Sequence, residues 1–172
     1  AGEELEAFVA RSTSLSAKAY DGEVESFTSA ETFGVGIRVI RAGRSGFASA
    51  GSFDPSVLED TLPEARDNAA YTEPDNWAGL VAPDGVEPPA MDLWRDDLAT
   101  TSTEAKVQMA LELEAAIRGA DTRIVGVRSA GYIEGAGEAA VASSTGLVVG
   151  SRGTSCSLSA TALAREGDDT QI

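Results

Sequence analysis

The 172-residue sequence contains no histidine, a single cysteine and only two lysines, Lys18 and Lys106. Each shortage closes a class of chemistry. Without imidazole there is no Ser-His-Asp or Cys-His nucleophile system and no zinc site built on histidine. One thiol, Cys156, excludes an internal disulfide framework, cannot make a thiolate zinc cluster, and fits a reducing compartment. It lies in the alternating stretch "TSCSLSA" and reads as a small core or half-buried residue, because no imidazole is present to lower its pKa. No apolar run approaches membrane-spanning length and no basic-apolar signal segment opens the chain. A cytoplasmic location and no membrane partner are therefore expected. Thirteen basic against 28 acidic residues give a net charge of −15. Such a surface repels phosphate backbones, so no nucleic-acid partner is expected either. The acidic excess reads as solubility or adaptation to salt.

What is present is an ordinary globular balance: 42% apolar and 24% charged residues. That length supports one sizeable core or two small ones. The chain opens at Ala1 and closes on "DDTQI", and it is expected to be a fragment, one domain over 1–172 with its C-terminal domain absent.

Residues 5–53 read as strands. In "SLSAKAY", Leu15, Ala17 and Ala19 alternate with polar neighbours. Asp21-Gly22 signals a hairpin turn. "EVESFTSA" has Val24 and Phe27 out of phase, which suggests a bulge. "FGVGIRVI" puts Phe33, Val35, Ile37 and Val39 on one face, Ala42-Gly43 turns the chain, and "GFASA" returns. Asp54-Pro55 opens a helix as N-cap and first helical residue. Leu58, Leu62, Ala65 and Ala69 give it an apolar stripe, and Pro63 predicts a kink or restart near Leu62.

Residues 71–100 hold four of the six prolines. They read as an extended surface strap pinned by Trp77, Leu80, Met91, Leu93 and Trp94. Thr101 and Glu104 match a capping box. The helix that follows, Ser102 to about Arg118, carries Met109, Leu113, Ala116 and Ile117 on one face beside Val107 and Leu111, with Gly119 at its exit. Beyond Arg123 come four strand segments joined by Gly-rich turns, one of them a hairpin at Ser144-Thr145-Gly146. The sum is an α+β fold: a largely antiparallel sheet with two main helices packed on one face.

No segment offers a self-contained active site. "GVG" at 34–36 and "GYIEGAG" at 131–137 lack the strand, turn and helix start of a phosphate loop and read as strand glycines. Glu166, Asp168 and Asp169 are oxygen ligands in type but read as a solvated turn. Glu112 and Glu114 lie two apart on a helix and do not face each other. Arg38, Arg41 and Arg44 flank one hairpin and form the only basic cluster. They read as edge protection, with a grip on an acidic segment or terminal carboxylate as the alternative. No catalytic, cofactor-binding or metal residue is assigned, and the substrate-binding residues stay unknown.

The order of segments says more. "YDGEVESFTSAETFGVGIRVIRAGRSGFASAGSFDPSVLEDTLPEA" resembles the N-terminal domain of the TldD/PmbA family, the modulators of DNA gyrase. The matching features are a "DG-E-x-E" hairpin, a "G-x-G-x-R-V" strand, a "G-F-A-S" return strand and a Pro-started helix. "AYTEPDNWAGL" resembles the family's strap. "AGYIEGAGEAAVASSTGLVVGSRGTSCSLSATALAREGDDTQ" resembles the hairpins that follow, in which Asn often stands at the positions of Ser143 or Thr145. The strap and the "SLSATALAREGDDTQ" ending are more similar to the PmbA (TldE) branch. The resemblance implies a heterodimer of TldD and TldE acting as a zinc metalloprotease on unfolded peptides. Its His-Glu-x-x-x-His motif would lie in the TldD-like partner, so zinc is expected only there and no catalytic residue carries over to this chain. The implied role is a non-catalytic partner subunit. The alternative is a non-proteolytic peptide- or protein-binding module that modulates gyrase-directed factors.

Overall fold

The structure, a computed structural model, describes residues 2–172. In chain order the elements are β1 (Glu4–Tyr20), β2 (Glu23–Arg41), β3 (Arg44–Ala50), α1 (Pro55–Ala70), α2 (Asp97–Thr100), α3 (Thr103–Ala120), β4 (Ile124–Ser143), β5 (Val148–Glu166) and β6 (Asp169–Gln171). The strands form one antiparallel six-stranded sheet in the order β3-β2-β1-β4-β5-β6. The class is α+β, as the order strands, helix, strap, helix, strands predicts. The four C-terminal strand segments fuse into two long strands, β4 and β5. Both glycine-rich stretches, 34–36 and 131–137, lie inside strands.

The chain divides into two compact units. The first comprises residues 1–12, 32–92 and 137–152. Its core holds Val35, Val39, Ile40, Ala65 and Ala69. β2 and β3 pair antiparallel with Arg41 opposite Arg44. The turn between them places Ala42 at φ 52° and Gly43 at φ 76°, the left-handed pair that a two-residue hairpin needs. α1 lies on β3 so closely that a Cβ on Gly46 would fall inside the backbone of Ala65 and Ala69.

α1 begins as its sequence dictates. Asp54 Oδ1 accepts the Ser56 amide at 2.9 Å and Pro55 fills the first turn. Pro63 does not restart it: the helix is one element from Pro55 to Ala70. The reason is placement. Pro63 and Glu59 are both exposed, so the carbonyl that loses its partner to the proline faces water. The buried stripe is Thr61, Ala65 and Ala69, with Leu58 and Leu62 only half-buried. Thr61 enters the core because its hydroxyl donates to Val57 O at 2.7 Å. Phe33 departs from its strand-face pattern as well. It is exposed, its ring 5.4 Å from that of Phe53.

The second unit comprises residues 13–31, 93–136 and 153–172. Leu15, Ala17 and Ala19 are all buried, as their alternation predicts, and pack with Ala110 and Tyr132. The Asp21-Gly22 turn has φ 54° and 81°. α3 is capped by Ser102, whose Oγ accepts the Ala105 amide at 3.2 Å, and not by Thr101. It runs through Gly119 to Ala120. Its buried face is Lys106, Ala110 and Glu114, while Met109 and Ala116 are exposed. The helix is thus rotated from the face its apolar residues predict. Two charged side chains can go inside because each is hydrogen-bonded and paired with an opposite charge. Lys106 Nζ donates to Leu98 O and to Glu134 Oε1, both at 2.7 Å, and Tyr132 donates to Glu134 Oε2 at 2.6 Å.

Candidate functional site

Of the strap expected over 71–100, residues 71–95 contain neither helix nor strand, while its end forms the short helix α2; the strap is not pinned as its apolar residues suggest. Trp77 is 94% exposed, and Met91 and Leu93 are exposed too. Only Leu80 and Trp94 are half-buried. Hydrogen bonds do the holding. In the first unit Asp75 N donates to Gly43 O at 2.8 Å, Leu80 N to Glu4 Oε2 at 2.8 Å, and Thr145 Oγ1 to Val81 O at 2.7 Å. In the second, Thr154 N donates to Leu93 O at 2.9 Å and Arg95 N to Thr154 Oγ1 at 3.0 Å. An extended segment has unpaired backbone groups at every residue; these partners satisfy some of them, and the exposed remainder is open to water.

The candidate ligand residues fall apart in space. Glu112 is exposed and accepts from Gln108 at 3.1 Å, whereas Glu114 is buried. Glu166 and Asp169 are cross-strand partners at the β5–β6 turn and are exposed, as is Asp168. Cys156 is exposed on β5 rather than half-buried or in the core. Among the described residues no group of three or more His, Cys, Asp or Glu side chains could hold a metal ion. The donor set does not fit zinc: the chain has no imidazole and one thiol.

The three hairpin arginines separate as well. Arg38 lies over the Phe47 ring, 5.6 Å from its centroid, and 4.0 Å from Glu6. Arg41 and Arg44 instead line a cavity of about 380 Å³ together with Arg66 of α1 and Glu3. Arg66 grips Glu3 by a forked pair of contacts, Nε to Oε1 at 3.0 Å and Nη2 to Oε1 at 2.7 Å. That hydrogen bond holds the Glu3 carboxyl below its ordinary range. Arg44 donates to the Thr72 carbonyl. Sequence reading misses Arg66 because it is remote in the chain, arriving only when α1 docks on β3. A second cavity, about 530 Å³, is lined by Asp121, Arg123, Arg165 and Glu166 among others. Its acidic groups Asp121 and Glu166 already engage Arg123, which reaches both oxygens of Asp121 at 3.0 and 2.8 Å and lies 4.0 Å from Glu166. Those contacts push the Asp121 pKa well down.

The sheet's edges differ. On β3 the outer carbonyls are occupied: Asn68 Nδ2 donates to Phe47 O at 2.8 Å and Thr72 Oγ1 to Ser45 O at 3.1 Å. On β5, β6 pairs only with Ala164–Glu166. None of the described helices is long and apolar enough to cross a membrane.

Comparison with known proteins gives a consistent result. Residues 5–69 match the family model for PmbA/TldA metallopeptidase domain 1, and residues 96–171 match the model for the central domain. The metalloprotease PmbA of Escherichia coli O157:H7 is 29% identical over 168 residues, which is 96% of this chain and 37% of that protein. A PmbA homologue from Haemophilus influenzae is 29% identical over 77% of this chain and 29% of its own length. The chain therefore spans under two-fifths of these relatives. Among solved structures, TldE from Thermococcus kodakarensis superposes with a TM-score of 0.84 at 23% identity, over 98% of this chain and 38% of that one. A protein proposed to modulate DNA gyrase, from Thermotoga maritima, gives 0.83 at 23% identity, over 97% of this chain and 37% of its own.

Proposed function

The chain belongs to the PmbA/TldD metallopeptidase family, and from that premise we propose that it is part of a TldE-like, non-catalytic partner subunit of a zinc metalloprotease acting on unfolded peptides. The observation that carries the proposal is the family match along nearly the whole chain, with PmbA proteins as its curated relatives. The metal that polarises a scissile carbonyl and activates water would then sit in a TldD-like subunit bearing His-Glu-x-x-x-His.

This chain's own contribution would be recognition. Unfolded substrates share a backbone rather than a sequence, and main-chain hydrogen bonding along a strand edge suits that task. β5 supports the reading. It has 19 residues; β6 pairs with only the last three, and the strap takes the Thr154 amide at Leu93 O. β3 is unsuited, since Asn68 of α1 and Thr72 just beyond it occupy two of its outer carbonyls.

The test is reconstitution. The full-length parent of this chain, mixed with a TldD-like subunit, should form a stable complex with chelator-sensitive peptidase activity that the parent alone lacks. If co-expressed subunits elute separately and the zinc-bearing one is fully active alone, the partner role fails, and a plain peptide-binding module takes its place.

A further inference from the structure

The arginine cavity of the first unit is unusual for where it occurs. A chain of net charge −15 has 13 basic residues, and three of them, Arg41, Arg44 and Arg66, line one cavity of about 380 Å³. Their donors are not all used. Arg66 is taken by Glu3. Arg44 spends one nitrogen on Thr72 O. The Arg41 side chain makes no hydrogen bond among the described residues and reaches Glu3 only through its charge. Of the remaining walls, Val39 and Ala69 are buried core residues while Ala42 and Ala70 are exposed, so the guanidinium groups have apolar core on one side and open water on the other.

From this geometry we infer that the cavity is a binding site for a peptide carboxylate, supplied by an acidic side chain or by a chain terminus. Guanidinium is the cation of choice because its planar fork matches a carboxylate's two oxygens. Glu3 demonstrates the fit, being a carboxylate from the segment before β1 already seated on one of the three forks. An incoming carboxylate joins Arg41 and the unused nitrogens of Arg44, beside Glu3 or in its place. The acidic surface elsewhere repels such a ligand, so this cavity gives an acidic segment one point of attachment. The inference is independent of the proposed partner role, since a simple binding module could use the same site.

The experiment uses three N-acetylated pentapeptides, followed through the Nε–Hε resonances of the arginines. Gly-Gly-Glu-Gly-Gly amide presents only a side-chain carboxylate. Gly-Gly-Gln-Gly-Gly with a free C-terminus presents only a terminal one. Its amide presents neither. At least one charged peptide should shift Arg41 and Arg44, and the neutral one should not; which charged peptide binds more tightly identifies the source. Arg41→Gln, at an exposed position, should weaken binding by about tenfold with unchanged circular dichroism. Glu3→Gln should tighten it several-fold by releasing Arg66. Arg123→Gln, which is not among the residues lining the cavity, should leave it unchanged. Equal binding of the neutral peptide, no shift with either charged one, indifference to Arg41→Gln, or weaker binding by Glu3→Gln overturns the assignment. Tighter binding of inorganic phosphate than of either carboxylate also overturns it, because the site is then a general oxyanion site.

Discussion

Glu114 Oε2 lies 2.9 Å from the amide nitrogen of Gly22, and its Oε1 lies 2.7 Å from that of Asp21. One carboxylate on α3 thus holds both central amides of the β1–β2 turn, though it is 1% exposed. Arg118 completes its shell at 2.6 Å. A left-handed turn leaves its amides pointing outward, and a buried acceptor that takes two of them ties helix to hairpin. Glu114→Ala should therefore cost about 3 kcal/mol in denaturant melts, because two amides and a guanidinium lose their partner together.

The same contact sets an acid limb. The Gly22 amide, more than any other group, holds the Glu114 pKa below its ordinary 4.5, with Arg118 and the Asp21 amide assisting against the cost of burial. A folded-state pKa below the unfolded one stabilises the protein above the unfolded pKa, and the benefit disappears as pH falls through the folded one. Glu114→Gln should be less stable than the wild type at pH 7, and the gap should narrow steadily below about pH 4.5. A gap that stays constant down to pH 3 would mean the carboxylate's charge is not what holds the turn.

Pro63 gives a prediction of opposite sign. It lies inside a continuous helix on the solvent side. Alanine there restores an amide for the Glu59 carbonyl and removes the ring's clash with it. Pro63→Ala should stabilise the chain by about 1 kcal/mol, less than the full interior penalty because the helix already accommodates the ring. A loss of stability on this substitution would place Pro63 at a functional helix start instead.

What could be read from the sequence was what local rules decide. The alternation of Leu15, Ala17 and Ala19, the Asp21-Gly22 and Ala42-Gly43 turns, and the Asp54-Pro55 helix start all depend on a few adjacent residues. The misreadings came where distant groups decide. Lys106 and Glu114 look like surface residues until Glu134 and the β1–β2 turn arrive to pair with them. Their burial rotates α3 away from the face that Met109 and Ala116 suggest. The arginine cavity was half legible. Arg41 and Arg44 are neighbours across a hairpin, but Arg66 joins them only through helix docking, and Arg38 turns to Phe47 instead.

Gly46 tests how tightly that docking is set. The helix backbone occupies the space its Cβ would need. Main chain cannot rotate away as a side chain can, so Gly46→Ala must push α1 off β3. A loss of about 3 kcal/mol or more is expected, at the upper end for overpacking. Gly36→Ala on the neighbouring strand meets nothing within 4 Å and should be neutral or stabilising by up to about 1 kcal/mol, because alanine has less backbone freedom to lose on folding. Parallel thermal melts of the two variants separate tight packing from a general intolerance of alanine in these strands.

The strap makes the last test, because its two tryptophans look alike in sequence and differ in the structure. Trp77 is 94% exposed, held only through its backbone, where its amide donates to Asp75 Oδ1 at 2.8 Å. Trp94 is half-buried, and its indole donates to Asp96 at 2.9 Å. A side chain that buries nothing has nothing to lose, so Trp77→Ala should change stability by less than about 0.5 kcal/mol. Trp94→Ala gives up apolar contact and an indole hydrogen bond and should cost about 1–2 kcal/mol. Fluorescence reports on the same contrast without unfolding. In the Trp94→Phe protein the remaining emission, from Trp77, should be red-shifted and readily quenched by acrylamide, whereas in Trp77→Phe it should be bluer and more protected. Acrylamide is the right quencher because it is neutral, and iodide would be kept away by the −15 charge. A blue, protected Trp77 would show that the indole packs against the protein after all, and that side chains rather than backbone hydrogen bonds fasten the strap.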